Sequence, residues 1–496
     1  MRCARTSSGA VAWGIPAAAL AVLLTACAVN PATGERQLSL VSESQEVSIG
    51  REAAEQIGQS MTMVEDEALQ TYVADLGQTL AVDSERPDLP WSFQVVDDPT
   101  PNAFALPGGF IYVTRGMLNL MENEAELVSV LGHEIGHVTA RHSVSQISRA
   151  QLAQVGMGLG MIFVPEMRPL ADLAGLGLNL LMLKYSRDAE RQADELGYRY
   201  ARARGYDVAE MADVFAALER MSDSGGQSAL PSWLATHPAP QERVEAVEAR
   251  LAGRSDSEPG ARVGRDVYLD HIDGLAYGPN PRNGFFRDGV FYHPELAFRF
   301  EVPGEWQTRN LARAVMAASP QGDAAMQLTL APGDSPAAAM REFLAQQGVE
   351  GGPARERTIN GLAAVSGAFQ GRTQQATVMG LVTFVAHQDD VYQFVTYTGS
   401  EAFEQYRPLF EDIVTSFAPL EDPEILEVQA PVIRIITTDA ERTLRELEAR
   451  RPAPVPLNEL AIINQLEDAD ATIPAGTRVK WVEGDPALLD DARRGR

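Results

Sequence analysis

Apolar residues recur with helical spacing over two early segments, residues 43–60 and 66–80. Apolar side chains at every third or fourth position give a helix one face that can be buried. Residues 91–96 alternate with a period of two, and residues 109–113 follow a Pro-Gly-Gly turn, so both segments are predicted as strands. The pattern over residues 42–251 therefore predicts a helix-rich α+β domain.

A further helix is predicted to begin at Glu124 and to run through His142. Asn123 can cap this helix, and Glu124 and Glu126 place carboxylates in the first turn, where the helix dipole favours them. Its apolar positions occupy more than one face, which predicts burial. They are Leu127, Val128, Val130, Leu131, Ile135 and Val138.

The pattern changes after residues 255–265, whose mixture of Ser, Gly, Pro and charged residues is typical of a linker. The predicted strands beyond it are residues 291–302, 325–330, 376–385 and 391–397, and the predicted helices are residues 336–346 and 403–417. This combination predicts a small α+β domain. A last unit, residues 432–482, has the predicted order β-α-α-β.

These shifts divide the chain into five parts. They are a signal segment at residues 1–26, a first domain at 27–254, a linker at 255–285, an α+β accessory domain at 286–420 and a C-terminal unit at 430–483. A chain of 496 residues is too long for one ordinary domain. The predicted fold class is therefore multidomain.

The N-terminal segment has the pattern of an export signal. Arg2 and Arg5 precede an apolar run at residues 11–24, which is shorter than the roughly 20 residues that a membrane-spanning helix needs. The run ends in Leu-Thr-Ala-Cys, which resembles a bacterial lipobox with Cys27 as the lipidated residue. Ala28 in the next position resembles lipoproteins sorted to the outer membrane. We expect the periplasmic face of the outer membrane, or a secreted chain if Cys27 carries no lipid.

Composition narrows the classes of partner. The formal net charge of −27 argues against nucleic acid, whose phosphates attract basic proteins. Cys3 lies in the predicted signal segment, so the exported chain would keep Cys27 alone and would form no internal disulfide.

One segment of the buried helix has the pattern of a metal site. His133 and His137 are four residues apart and lie on one helix face, so both imidazoles can reach a single ion. Glu134 lies beside the first histidine and can contact a water molecule without binding the metal. An exposed polar helix face is the alternative, but the apolar neighbours favour burial, and a buried His-Glu-His cluster is costly unless a partner satisfies it.

A catalytic zinc site needs a third protein ligand and one open position. Glu190 and Asp194 are again four residues apart on a predicted helix. Taken alone, this segment is typical of a charged surface helix. Paired with the upstream histidines, it supplies the missing carboxylate.

At this point the chain resembles the HtpX/BepA-type zinc metallopeptidases, relatives of the CAAX prenyl proteases. The resemblance covers residues 30–251 and rests on HEIGH at 133–137, SRDAERQAD at 186–194, NPATGERQL at 30–38, NAFALPGG at 102–109, and THP at 236–238 with Arg243. It implies a gluzincin-type catalytic domain and protein or peptide substrates, among them misfolded or unassembled envelope proteins.

The resemblance also implies roles for single residues. His133, His137 and Glu190 would hold one zinc ion per chain, and Glu134 would act as the general base. Asp194 would accept a hydrogen bond from a ligand imidazole and fix its tautomer.

His237 is implied to approach the zinc and close the site. Assistance to the transition state and a purely structural role remain alternatives for His237. His142 fits no motif and is interpreted as a helix C-terminal residue.

Two other segments have open interpretations. The strand that contains Gly109, Phe110 and Ile111 could pair with an extended substrate at its edge, or it could be purely structural. Residues 155–183, which are rich in Gly, Met and Leu, could form a flap, a lipid-facing surface or a buried helix.

The C-terminal unit weakly resembles a LysM domain, which implies binding to peptidoglycan. Three functions follow for the whole chain: a zinc endopeptidase, a chaperone or scaffold with a self-occluded zinc site, and a peptidoglycan-binding lipoprotein. A retired enzyme has no need of a general base, so Glu134 favours the peptidase.

Overall fold

The computed structural model describes residues 27–158, 184–224, 232–237, 240–251, 260–311, 313–372, 377–486 and 488. The predicted signal segment and most of the apolar segment 155–183 lie outside the described residues. Within the described ranges, no helix combines the length and the apolar character that crossing a bilayer requires.

The first region runs from β1 to a helix that follows residue 264. Its elements are β1 (Cys27–Val29), β2 (Arg36–Leu38), α1 (Glu43–Ser60), α2 (Glu67–Ala81), β3 (Ser92–Val96), β4 (Ala103–Leu106), β5 (Phe110–Thr114), α3 (Arg115–Leu120), α4 (Glu124–Thr139), α5 (His142–Gly158), α6 (Arg187–Ala203), α7 (Glu210–Ser224), α8 (Ser232–Thr236), α9 (Pro240–Leu251) and α10 (Arg265–Ile272). Side chains cap several of these helices as local chemistry predicts. The Asn123 side chain accepts a hydrogen bond from the Glu126 amide at the start of α4.

The three-stranded sheet has the order β3-β5-β4. Strand β5 is parallel to β3 and antiparallel to β4, so both of its edges are already paired. The prediction that Gly109, Phe110 and Ile111 receive a substrate at an open edge is therefore wrong. Strand β4 is an edge strand instead, and it packs against α4.

Helix α4 ends earlier than its sequence pattern predicts. It stops at Thr139, and Arg141 adopts a left-handed conformation with φ of 57° before α5 begins at His142. Two contacts of the Arg141 side chain stabilise this break, because it donates to the Glu46 carboxylate at 2.9 Å and to the Val41 carbonyl at 2.8 Å. Both partners come from about 100 residues upstream, so a local pattern could not predict the break.

Helices α4 and α6 cross at glycine residues. A methyl group on Gly197 would lie 2.8 Å from the His133 amide nitrogen, and one on Gly136 would lie 3.0 Å from the Ala193 carbonyl oxygen. Only glycine permits this approach, because any side chain would push the two backbones apart. The close crossing brings the carboxylates of α6 next to the histidines of α4.

The core of the first region includes a segment predicted as linker. Tyr268, Leu269 and Ile272 on α10 are completely buried against the main core, which also contains Leu275. The prediction of a linker over residues 255–285 is therefore wrong for its second half. The helical spacing of these apolar residues, which are one, three and four positions apart, indicated burial better than the polar composition of the preceding residues indicated a linker.

The second region, from residue 285 to 419, is dominated by antiparallel strands. Its elements are β6 (Phe285–Arg287), β7 (Val290–His293), β8 (Phe298–Glu301), β9 (Gln307–Leu311), β10 (Ala314–Ala318), β11 (Ala324–Leu330), α11 (Pro336–Leu344), β12 (Val349–Gly351), β13 (Arg355–Ile359), β14 (Leu362–Arg372), β15 (Thr377–His387), β16 (Asp390–Gly399), α12 (Phe403–Thr415) and β17 (Ala418–Pro419). The single strand predicted at 291–302 is in fact the hairpin β7–β8, with Ala297 at φ of 50° in its turn.

The last unit packs on the first region. Its elements are α13 (Pro423–Leu426), β18 (Val432–Thr437), α14 (Leu444–Glu448), α15 (Leu457–Ile463) and β19 (Arg478–Glu483), and β18 pairs antiparallel with β19. From β19 the fully buried Lys480 ammonium donates to the Met121 carbonyl at 2.7 Å and lies 3.1 Å from the Glu122 carboxylate. The C-terminal unit is therefore joined to the residues that immediately precede α4.

Candidate metal centre

The candidate site is assembled from three helices. Helix α4 contributes His133, Glu134 and His137, helix α6 contributes Glu190, and His237 follows the short helix α8. All five side chains are at most 2% exposed. The structure thus brings together residues that are separated by as many as 104 positions.

Four of these side chains could hold one metal ion, because their donor atoms lie within 4.8 Å of one another. The Nε2 atoms of His133 and His137 are 3.0 Å apart. The Glu190 carboxylate oxygens lie 3.6 Å from the first and 3.5 Å from the second. The cluster is a compact set of nitrogen and oxygen donors of the kind that zinc binds.

His133 is oriented by a charged pair. Its Nδ1 atom lies 2.9 Å from Asp194 Oδ1, and a hydrogen on Nδ1 would be donated to that carboxylate. Asp194 in turn accepts from Arg243, whose Nε and Nη2 atoms lie 2.9 and 2.5 Å from its two oxygens. The arrangement leaves Nε2 of His133 as the atom with a free lone pair.

Arg243 is held between two aromatic rings. Its guanidinium lies 4.0 Å from the centre of the Phe215 ring and 4.5 Å from that of Trp233. Trp233 also stacks on the His237 ring at 4.8 Å with an interplanar angle of 20°. Trp233 therefore contacts both Arg243, which supports Asp194, and His237, which faces Glu190.

His137 has a partner that the sequence pattern did not predict. Its Nδ1 atom lies 2.9 Å from Nδ1 of His142, and Nε2 of His142 lies 2.8 Å from the Gln192 amide oxygen. On an unbroken helix, residues five apart diverge by about 140°, so His142 would face elsewhere. The break at Arg141 turns His142 back toward the site, and the interpretation of His142 as a helix C-terminal residue is wrong.

Tyr185 also escaped the sequence analysis. Its ring lies 4.0 Å from the centre of the His137 ring, and its hydroxyl is 2.8 Å from the Ser143 hydroxyl. The sequence offered one indication that Tyr185 lies at the site. Tyr185 immediately precedes Ser186, the N-cap of α6, and is therefore close along the chain to Glu190.

Glu134 faces the cluster without a partner. Both of its carboxylate oxygens are buried and have no hydrogen bond, and the nearest cationic group is His237 Nε2 at 3.8 Å. A buried carboxylate without hydrogen bonds is expensive unless another molecule satisfies it. Glu134 is therefore placed to receive a hydrogen from a water molecule or a substrate.

The donor set fits a divalent cation. With their hydrogens on Nδ1, His133 and His137 would direct two lone pairs at each other across 3.0 Å, next to the Glu190 carboxylate. These groups repel one another unless a positive charge lies between them. Neutral imidazole and carboxylate are the ligands that zinc prefers when cysteine is absent.

Electrostatics favour neutral His137 and ionised Glu190 and Asp194. Burial, together with the neighbouring imidazoles, lowers the pKa of His137 well below its usual range. Burial raises the pKa of Glu190, but the charge of His237 and its hydrogen bond outweigh that effect, so the pKa of Glu190 is lowered. Burial likewise opposes ionisation of Asp194, yet Arg243 and His133 bring the pKa of this carboxyl below its ordinary value.

His237 occupies the remaining side of the cluster. Its Nδ1 atom is 3.1 Å from both oxygens of Glu190 and 3.2 Å from Nε2 of His133. Burial lowers the pKa of His237, but the negative charge of Glu190 outweighs it and the pKa is raised. His237 is therefore a fourth side chain that could hold the ion if it were neutral, beside the three of His133, His137 and Glu190.

Part of the chain is similar to a known protein family. Residues 67–251 match the model of peptidase family M48. This part of the chain is therefore similar to that metallopeptidase family, and the recognition of an HtpX/BepA-like protein is confirmed.

Curated relatives match 40–52% of the chain. The beta-barrel assembly-enhancing protease of Yersinia pestis is 31% identical over 232 residues, which is 45% of this chain and 47% of that protein. The protein of the same name from Escherichia coli K12 is 30% identical over 268 residues, with coverages of 52% and 54%. The mitochondrial metalloendopeptidase OMA1 of Schizosaccharomyces pombe is 30% identical over 198 residues, with coverages of 40% and 55%. The chain thus spans about half the length of the curated relatives it matches.

Proposed function

We propose that the chain is a zinc-dependent endopeptidase in which His133, His137 and Glu190 hold the metal and Glu134 is the general base. The observation that carries the proposal is the buried cluster of donor atoms within 4.8 Å of one another, beside a Glu134 carboxylate that accepts no hydrogen bond. The metalloendopeptidase relatives support the same activity.

The chemistry divides between the metal and the chain. A bound zinc ion would supply Lewis acidity to the scissile carbonyl and to a water molecule. Glu134 would take the proton from that water and pass it to the leaving amine, as its unpaired carboxylate permits. Asp194 and His142 would keep the two imidazoles in the tautomer that presents Nε2 to the metal.

The substrate would bind as an extended strand along β4. Strand β4 packs against α4, and among the described residues no other strand pairs with its outer edge. An extended peptide that paired with Ala103–Leu106 would run past the histidines of α4, and its main chain would supply the hydrogen bonds. Pairing of this kind depends little on side chains, so it suits unfolded or unassembled segments of many sequences.

We place the substrates among envelope proteins. The predicted lipid anchor at Cys27 and the names of the assembly-enhancing relatives support this compartment. Tethering at the periplasmic face of the outer membrane would hold the site near proteins that are waiting to insert.

A self-occluded state is the second candidate, and the position of His237 favours it. His237 Nδ1 lies 3.1 Å from Glu190 Oε1, so the imidazole would compete with water and substrate for access to a metal held by Glu190. Withdrawal of His237 would open the site, whereas its retention would leave a chain that binds zinc and polypeptides without cleaving them.

The test is cleavage of casein by the purified full chain, together with metal analysis. We expect about one zinc ion per chain, cleavage that a chelator abolishes, and at least a 100-fold loss in Glu134→Gln with the zinc content unchanged. His237→Ala should cleave faster if the self-occluded state limits turnover. Zinc binding without cleavage by either the wild type or His237→Ala would support the scaffold, and a chain that binds no zinc would refute the proposal.

A further inference from the structure

The segment that follows Cys27 folds against the metal centre. Strands β1 and β2 form a hairpin, and the Asn30 side chain at its turn is only 4% exposed. Its Nδ2 atom donates to the Ala140 carbonyl at 3.2 Å, where the zinc-site helix α4 ends. Ten residues further on, the Leu40 amide donates to the buried Ser148 hydroxyl of α5 at 2.9 Å. The hairpin and the residues that directly follow it are thus attached to both helices that flank the break at Arg141.

The same Asn30 amide connects to a candidate metal ligand through two other side chains. Asn30 Nδ2 lies 3.3 Å from Gln192 Oε1, the oxygen that also faces His142 Nε2 at 2.8 Å. His142 Nδ1 then faces His137 Nδ1 at 2.9 Å. A continuous chain of hydrogen bonds therefore runs from the hairpin to an imidazole of the metal cluster.

The directions of these hydrogen bonds are mutually consistent. An imidazole that gives its Nε2 lone pair to a metal carries its hydrogen on Nδ1, so His137 would donate to His142. His142 then carries its own hydrogen on Nε2 and donates it to Gln192, whose oxygen also accepts from Asn30. Neither histidine can reverse its direction without placing two hydrogens or two lone pairs face to face.

Both sides of His142 are closed to solvent. His142 is 8% exposed and His137 is 1% exposed. Water therefore cannot replace the hydrogen bonds if a member of the chain is lost. The turn at Asn30 is itself rigid, since Asn30 Oδ1 accepts from the amides of Ala32 and Thr33 at 2.9 and 3.3 Å.

We propose that the hairpin of residues 27–38 supports the metal centre. Asn30, acting through Gln192 and His142, positions His137 for metal binding. His142 and Asn30 are positioning residues, because neither belongs to the set of side chains that could hold the ion. The inference rests on the proposed zinc site, and it links the competence of that site to folding of the segment next to the predicted anchor. A chain whose hairpin is displaced would hold its metal more weakly.

The test measures zinc affinity of the full chain by competition with a chromogenic chelator, and the absorption spectrum of the Co²⁺-loaded chain. His142→Leu should raise the zinc dissociation constant about 10- to 100-fold, and Asn30→Ala should raise it severalfold. In His142→Asn, the amide oxygen can replace Nδ1 as the acceptor, so the affinity and the Co²⁺ spectrum should recover most of the wild-type values. A role in packing alone would give the opposite order, since leucine fills the space and asparagine does not.

Asn464→Ala is the matched control. Asn464 is also a buried asparagine, and it donates to the Leu460 and Lys480 carbonyls at 2.8 and 2.9 Å in the C-terminal unit, away from the hairpin. We expect its zinc affinity to stay within twofold of the wild type. Circular dichroism of each variant would separate unfolding from loss of metal.

Zinc affinities within twofold of the wild type for both His142→Leu and Asn30→Ala would overturn the inference, even if casein is cleaved. The reverse result, weakened zinc binding in a chain that cleaves nothing, would preserve the inference and refute the proposed protease. The two failures are therefore distinguishable.

Discussion

The two histidines of helix α4 are supported by regions of opposite character. His133 is backed by an ion pair, Asp194 and Arg243, in which the carboxylate accepts two hydrogen bonds from the guanidinium. His137 is backed by a neutral imidazole, His142, and behind it by amide groups from α6 and the N-terminal hairpin. One helix therefore presents two imidazoles to one cluster through two unlike networks.

The two networks differ in what a mutation would leave unsatisfied, a buried charge in one and a hydrogen bond in the other. Removing one member of a buried ion pair leaves a charge that the surroundings cannot solvate, whereas removing one member of a neutral chain leaves an unmade hydrogen bond. The charged network also lies beside the candidate metal cluster, and its arginine packs between two aromatic rings. The neutral network reaches a segment more than 100 residues upstream, so it is the one that distant events can disturb.

The largest effect is expected from breaking the charged network. Asp194→Ala would leave the buried Arg243 with only the Glu190 carboxylate, 3.4 Å from its Nη1 atom, and His133 without an acceptor. We expect the zinc dissociation constant to rise by at least 10- to 100-fold and the protein to lose about 3–5 kcal/mol of stability. Chelator competition and scanning calorimetry would measure the two quantities.

Asp194→Asn refines this prediction because it retains an acceptor for His133 but removes the charge. A variant that recovers zinc affinity and remains unstable would assign the two effects to the hydrogen bond and the charge respectively. If Asp194→Ala instead binds zinc and unfolds like the wild type, the charged network supports nothing.

A second buried ion pair allows the stability cost of breaking such a pair to be measured separately from any effect on zinc binding. Lys480 and Glu122 meet at the opposite end of α4, and Arg265 also binds the Glu122 carboxylate at 2.9 Å. Because Arg265 remains, Lys480→Met should cost only about 2–3 kcal/mol, chiefly from the carbonyls that lose their donor. Zinc affinity should stay within twofold, as measured by the same competition, and a large change would mean that the C-terminal unit acts on the metal site.

The smallest effect concerns a buried neutral histidine far from the metal cluster. Burial, aided by the charge of Arg282, lowers the pKa of His293 to about 4. A depressed pKa means that stability is complete above the unfolded value of 6.5 and is lost as the pH falls toward 4. We expect the second region to lose on the order of 2–3 kcal/mol across that interval.

His293→Gln should remove most of this pH dependence while it leaves zinc binding at neutral pH unchanged. Calorimetry at pH 7, 5.5 and 4.5 would record it. Equal acid sensitivity in the variant and the wild type would show that groups other than His293 control the stability of the second region at low pH. The buried neutral histidine His142 would then have no counterpart in that region.

Much of the candidate site could be predicted from local spacing. Two histidines four residues apart must share a helix face, and so must Glu190 and Asp194, because the α-helix repeats over a few residues. The apolar surroundings of α4 likewise predicted its burial, and Asn123 its first turn. These features depend on neighbours within one or two turns, which the sequence lists directly.

Only the tertiary structure decided the remaining features. Which edge of the sheet is open depends on pairing between β3, β5 and β4, and the end of α4 depends on contacts of Arg141 with residues about 100 positions away. The partnership of His142 with His137 follows from that break, and the place of Lys480 follows from docking of a separate unit. Sequence determined which side chains share a face, because helix geometry is local. Packing decided which faces meet, because contacts between distant segments leave no periodic trace in the chain.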